Sequence, residues 1–370
     1  MEMNMRAFVV GGTGPTGHHI INGLLDRGYS VTMLHSGERE IPEIPRNVVH
    51  VHADAYSADS FIKALGSRTF DLCISNYGRL RMVAETTAGR VGRFISIGGV
   101  PTYRGYMNPE LLAPAGLPVP ISEEAPLVAL ASEDEKGWRI VRTEEAVFQF
   151  HPDATHFRYP FVYGPYQLVP REWCIVRRII DRRPHLIVPD DGLSLHTYGF
   201  AANLAHAILL AVDNPEVAAG RIYNCGDEVV LTLRQVVEIV TEALAHEWEI
   251  VSMPWQLAIP ARPLMMQPLP THRVLSIARI QNELGYRDVV KPVDAVASTA
   301  RWLSEHPCER GGTEEMVLQD PFDYEAEDAL IAAWKRLLAA MPEIPFEREP
   351  GYGMHYSGPG GRPRTKKTFE

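Results

Sequence analysis

A doubly wound α/β domain on a mostly parallel sheet is the fold this sequence predicts, and three observations predict it. Residues 5–11 (MRAFVVG) form an apolar run closed by glycine, which is how a strand buried on both faces reads. Strand and helix patterns then alternate as far as about residue 165. Between the first strand and the first helix lies GGTGPTG (11–17), a loop with glycines spaced GxxGxxG.

The elements follow in order. Ile20, Ile21, Leu24 and Leu25 recur at helical spacing, and Gly28 closes that helix as a C-cap does. YSVTMLH (29–35) is the second strand, so the βαβ unit has the length a crossover needs. VVHVHAD (48–54) is the third strand, DSFIKALG (59–66) a helix, and FDLCISN (70–76) and GRFISIG (92–98) the fourth and fifth strands with a helix between. A Pro-rich loop (107–126) leads to a helix over 133–150. ATHFRYPFVYGP (154–165) reads as another strand with a loop after it.

Beyond 165 the rhythm loosens. Helices are expected over 171–183, within 196–215, over 231–244 and through most of 271–306. Strands are expected at 221–226 and 249–254, and 260–270 is irregular. The domain organisation read from this pattern is a dinucleotide-binding domain over 1–165, to which 196–240 returns. A smaller, discontinuous substrate-binding lid follows (166–195 and 245–307), then a C-terminal extension (308–370). In that extension 308–322 reads as a linker and 324–341 as an amphipathic helix with Leu330, Ile331, Trp334, Leu337 and Leu338 on its apolar side. The last twenty residues are rich in Gly, Pro and basic side chains, and disorder is the expectation.

The glycine loop carries the chemistry. A tight turn, close approach of a pyrophosphate and close helix–strand packing each require a missing Cβ, and the helix N-terminus offers free N–H groups to phosphate. This is the Rossmann arrangement, and it predicts a bound dinucleotide held by Gly11, Thr13, Gly14, Pro15, Thr16 and Gly17. An NAD-selective site ends its second strand in an acid; here His35, Ser36 and Arg39 stand there, which favours NADP with NAD as the alternative. Asp54 is placed for the adenine amino group, and Asn76 and Tyr77 end strand four beside the expected cofactor.

A net charge of -10 leaves no obvious footprint for nucleic acid or an anionic membrane, so neither partner is expected. The four cysteines (Cys73, Cys174, Cys225, Cys308) are scattered, with no CxxC pair and no histidine at metal-ligand spacing; no metal site is expected. No apolar run spans a bilayer and no secretory leader is recognisable, so a cytoplasmic location is expected.

At this point the chain resembles the extended short-chain dehydrogenase/reductase family, in its epimerase/dehydratase group, over about residues 5–300. GGTGPTG is similar to the family's TGxxGxxG loop. RFISIGGVPTY (93–103), FRYPFVYGP (157–165), VPDDGLSLHTYGFAANLAHAI (188–208) and RIYNCGDEVVLTLRQVVEIV (221–240) match further family motifs in the family's order. The resemblance implies that Tyr159, Pro160 and Val162 line the nicotinamide pocket. It also implies a homodimer contact through the 133–150 helix, although the sequence itself does not set the oligomeric state.

The catalytic positions depart from the family. Gly99 stands where the family has Ser or Thr, and aligning EEAVF (144–148) puts Gly137 and Val141 at the Tyr and Lys of YxxxK. A slip of one residue offers Trp138 and Arg142, which do not restore the pair. Candidate replacements are Tyr103, Lys136, Tyr163, Tyr77 and His196, the last standing where nucleotide-sugar members carry an arginine. The expected function is an atypical NAD(P)-dependent oxidoreductase acting on a small, fairly apolar organic substrate. The alternatives are a cofactor-retaining lyase or isomerase and a non-catalytic dinucleotide-binding regulator. A tail folded across the site would bring His355 and Tyr356 to it, and Arg362, Arg364, Lys366 and Lys367 are the only features that speak for an anionic partner.

Overall fold

Alternating strand faces set the architecture. In β1 (Arg6–Val10), Ala7 and Val9 pack on one side with Ile20, Leu24 and Ile208, while Phe8 and Val10 pack on the other with Phe61 and Val83. Both faces of the strand are therefore dry, as its unbroken apolar run requires. The computed structural model describes residues 5–76, 78–265, 267 and 269–347. Tyr77 and the tail 351–370, with His355, Tyr356 and the four basic residues, lie outside the described residues.

The strands are β1, β2 (Ser30–His35), β3 (Val49–His52), β4 (Phe70–Ser75), β5 (Val91–Gly99), β6 (Thr155–Tyr159), β7 (Phe161–Tyr163), β8 (His185–Pro189), β9 (Tyr198–Phe200), β10 (Ile222–Asn224) and β11 (Glu249–Met253). Seven of them form one parallel sheet in the order β10-β6-β5-β4-β1-β2-β3. The chain starts at β1, winds out to β3, returns to β4 and continues the other way. That reversal opens a crevice at the carboxyl ends of β1 and β4.

The stretch read as one strand at 154–165 is two. Pro160 has no N–H to give to the ladder. β6 stays in the main sheet, while β7 leaves it and pairs with β9. The β8–β11 pair, with the helices Trp173–Ile180, Leu233–Ala243 and Pro292–Glu305, encloses a second apolar core. The Thr232 hydroxyl and the Gln235 side chain close the N-terminus of Leu233–Ala243 in a capping box.

The segment 308–322, read as a linker, carries the helix Thr313–Leu318 and is fastened by charge. Glu315 accepts from Trp173 Nε1 (2.9 Å) and pairs with Arg177, and Asp320 pairs with Arg178 (2.7 Å). These arginine partners are far away in sequence, which is why local composition misreads the segment. Contacts divide the chain into Met1–Glu327 and Asp328–Glu370; the second unit holds most of the helix Tyr324–Ala339. Among the described residues no helix is long and apolar enough to cross a membrane.

Candidate functional site

The four glycines of the loop are not equivalent. Gly11 has φ 81° and donates its N–H to the Leu34 carbonyl at 2.8 Å, the turn that only glycine makes freely. A Cβ on Gly12 would lie 2.1 Å from Met33 Sδ, and one on Gly17 would lie 2.4 Å from the Gly12 carbonyl oxygen. These two glycines bring the strand and the helix Gly17–Asp26 together. Gly14 is different: a Cβ there would meet nothing within 4 Å. Its missing side chain is not explained by the protein and leaves room for a ligand. Beside it, Asn76 reaches the Gly11 carbonyl at 3.4 Å and keeps a buried Oδ1 with no partner. Thr13 and Pro15 are half-buried and Thr16 is buried at the helix start. These residues fit a dinucleotide. Gly12 was not singled out in the sequence, because Ile21 and Met33, which its Cβ would meet, come from the following helix and strand.

At the ends of β2 and β3, His35 is buried against the rings of His50 and His52. Ser36 is exposed, its Oγ accepting from the Glu38 N–H (3.3 Å). The Arg39 guanidinium lies over the Tyr166 ring at 5.2 Å. Exposed Asp54 accepts from the Tyr56 N–H (2.8 Å).

Pro15 brings the loop to the edge of a cavity of about 1230 Å³. Gly98, Gly99, Tyr159, Pro160 and Val162 line it, together with Gln167, Leu168, His196, Tyr198 and Met265. The helix Glu135–Phe150 presents Lys136, Ile140 and Thr143 to it, a stripe at i, i+4 and i+7. This cavity-facing stripe is offset by one residue from the positions aligned with the family motif. Gly137 and Val141, aligned with Tyr and Lys of YxxxK, are buried away from the cavity; a Cβ on Gly137 would sit 2.5 Å from the Pro101 carbonyl. The positions that face the cavity at YxxxK spacing are Lys136 and Ile140, so the family's pair is missing in this register too.

Of the other candidates, Tyr103 is fully buried and does not reach the cavity. Its hydroxyl donates to Asn224 Oδ1 (2.7 Å) and accepts from Arg158 Nη1 (2.9 Å), and Arg158 is clamped by both oxygens of Glu144 at 2.9 and 2.7 Å. Tyr163 is also buried away from it and donates to Asp227 Oδ2 at 2.7 Å. His196 does line the cavity. Its Nε2–H donates to the Thr271 carbonyl (3.0 Å) beside the Gln267 amide. Burial, followed by the charge of Arg273, pulls its pKa down to about 3, so at neutral pH it has no proton to give from Nδ1.

Arg273 is the functional candidate the sequence did not reveal. It is one of five buried arginines. Arg158, Arg171, Arg177 and Arg178 each pair with a carboxylate. Arg273 pairs with none among the described residues, and its Nε and Nη2 are buried without an acceptor. It lines the cavity with its guanidinium over the Tyr106 ring at 5.0 Å, and burial lowers its pKa from the ordinary arginine value. Nothing in THRVLS sets this arginine apart from a surface one; only the fold shows that no acid comes to meet it.

No family model matches the chain. It is 24% identical to "Uncharacterized protein YbjS" of Escherichia coli over 346 residues, covering 82% of this chain and 98% of that one. It is 22% identical to a 3-diazoavenalumate denitrifying reductase of a Streptomyces species over 329 residues, 83% and 99% of the two chains. An 87-residue stretch, 23% of this chain and 22% of the other, is 36% identical to UDP-D-apiose/UDP-D-xylose synthase 2 of Arabidopsis thaliana. Among solved structures, an epimerase from Methanothermobacter thermautotrophicus superposes with TM-score 0.66 at 17% identity, over 82% of this chain and 93% of its own. The Bordetella bronchiseptica enzyme WbmH in complex with NAD+ does so with TM-score 0.64 at 16% identity, over 82% and 100%. Motif order and solved structures agree on the fold: the chain has the architecture of the extended short-chain dehydrogenase/reductases of the epimerase/dehydratase group.

Proposed function

We propose that the protein is an NAD(P)-dependent oxidoreductase whose substrate is a small organic anion with an apolar body. The observation that carries this reading is a cavity that meets the glycine loop at Pro15 and is lined by the Arg273 guanidinium, which is buried with no carboxylate partner among the described residues. A buried cation without a counter-ion is costly, and a substrate carboxylate or phosphate offsets that cost on binding. The lining beside it (Ile97, Val100, Met107, Met265 and the Tyr106 ring) suits an aliphatic or aromatic body.

Gly11, Thr13, Gly14, Pro15, Thr16 and Gly17 would hold the dinucleotide phosphates, with Asn76 beside them, and Tyr159, Pro160 and Val162 would lie under the nicotinamide. Ser36 and Arg39 favour NADP at the ribose, NAD being the alternative, while His35 is buried against His50 and His52. A bound nicotinamide dinucleotide supplies the hydride. Lys136 is the proton carrier in this reading, because it is the titratable side chain on the cavity-facing stripe of the helix Glu135–Phe150. Tyr103 and Tyr163 are left out because their hydroxyls are spent inside the core, and His196 because it is neutral.

A panel of apolar carboxylic and phosphoric acids bearing a carbonyl or a conjugated alkene, incubated with NADPH or NADH, tests the reading. Oxidation of the cofactor with at least one acid, and none with its methyl ester, is the expected result. Turnover of neutral compounds alone would remove Arg273 from the account. Bound cofactor with no net oxidation during turnover would favour the cofactor-retaining isomerase or lyase.

A further inference from the structure

We infer that His35, Glu40, His50 and His52 form a four-ligand site for a divalent transition metal of the zinc class. The strand register brings them together. His35 ends β2 and pairs directly with His52 on β3, and His50 lies two residues earlier on the same face as His52. The loop after β2 returns Glu40 to the three imidazoles.

The spacing distinguishes a metal cage from a hydrogen-bonded cluster. Glu40 Oε1 stands 3.4 Å from His35 Nε2 and 3.4 Å from His52 Nε2, Glu40 Oε2 stands 3.5 Å from His50 Nδ1, and His35 Nε2 is 3.2 Å from His50 Nδ1. Charge-assisted N–H···O bonds are shorter, at about 2.7–2.9 Å. Elsewhere in this molecule buried pairs adopt such lengths: Arg158–Glu144 at 2.7 Å and Arg171–Glu172 at 2.6 Å. A tetrahedral ion with bonds of about 2.0–2.1 Å to nitrogen and oxygen separates its ligand atoms by about 3.3–3.4 Å. The Glu40 Oε1 distances to His35 and His52 and the His35–His50 distance lie close to that separation, and one ligand atom from each of the four residues falls within 4.8 Å of the others. The rings of His50 and His52 stand edge-on to that of His35, at 77° and 82°.

The donor set selects the ion. Three imidazoles and one carboxylate suit Zn²⁺, Co²⁺, Ni²⁺ or Cu²⁺ and not Mg²⁺ or Ca²⁺, which prefer oxygen. Four protein ligands make the site structural, with no open position for catalysis. The ion would staple β3, a four-residue edge strand, to β2 and to the loop between them. The sequence analysis expects no metal because ligands at 35, 40, 50 and 52 match no ligand spacing; the one local signal is HVH, two histidines on one face of a strand.

Metal-free full-length protein should be titrated with Zn²⁺ against a chromogenic chelator, and with Co²⁺ while its visible spectrum is recorded. The expected results are one tight equivalent of Zn²⁺, the intense visible bands of tetrahedral Co²⁺, and a melting temperature that rises with Zn²⁺. His52→Ala is exposed enough to leave the metal-free melt unchanged, and it should weaken Zn²⁺ by about 10–100-fold or more; Glu40→Gln should do likewise. Absence of a tight equivalent, binding that both variants leave intact, or the weak spectrum of octahedral Co²⁺ would each overturn the inference.

Discussion

Single residues divide into those the protein needs for itself and those it keeps for something else. Gly17 and Gly14 illustrate the division. Gly17→Ala drives a Cβ into the Gly12 backbone and should destabilise the fold by several kcal/mol or block folding, read as a lowered Tm. Gly14→Ala meets open space, so its melt should match wild type while dinucleotide binding is lost. The same contrast separates two arginines. Removing Arg158 strands buried Glu144 and should cost about 3–5 kcal/mol in denaturant unfolding. Arg273→Leu removes a buried charge that has no counter-ion, so stability should hold or rise, while KM for an acidic substrate rises by the equivalent of about 2–5 kcal/mol. A destabilised Arg273→Leu would mean that the guanidinium serves the fold. The glycines were legible because their spacing follows from local turn geometry. Arg273 was not, because what defines it is the absence of an acid from segments remote in sequence.

At the scale of an element, the helix Glu135–Phe150 shows how one residue of register changes a chemical reading. Motif alignment faced Gly137 and Val141 to the site, whereas the folded helix turns Lys136, Ile140 and Thr143 there. The Pro101 carbonyl pressed against Gly137 fixes that rotation, and Asp134 caps the helix through the Gly137 N–H at 3.0 Å. In the proposed reaction Lys136→Met should lower kcat by about 10²–10⁴-fold with dinucleotide binding unchanged, and Lys136→Arg should recover little. An unchanged kcat would clear Lys136 of the role. The neighbouring buried stripe of this helix, with Gly137 and Val141, holds Glu144 against Arg158 of β6. Burial raises its pKa, but hydrogen bonds from His156 and Arg158 outweigh burial and bring it down to about 2. A folded pKa below the unfolded value means stability that is full above about pH 4.5 and lost as pH falls toward 2. The contribution is on the order of 3 kcal/mol. Unfolding free energies measured from pH 6 to pH 2 should show that acid limb in wild type and a flatter one in Glu144→Gln.

At the scale of the whole molecule, the sheet was legible almost strand by strand, because buried parallel strands and their crossover helices leave periodic apolar patterns. The lid was less so. β8 pairs with β11 and β7 with β9 across long separations, and the 308–322 segment is held by buried arginine pairs, so no local pattern announces either. The cavity meets the glycine loop at Pro15, and entry of a dinucleotide there is the central claim. The most direct test is calorimetric titration of NADPH and NADH into wild type and Gly14→Ala. Saturable one-to-one binding of at least one dinucleotide to wild type, lost in a Gly14→Ala protein with an unchanged melt, is the result the account predicts. No binding of either dinucleotide to folded wild type, or equal binding to the variant, would contradict it.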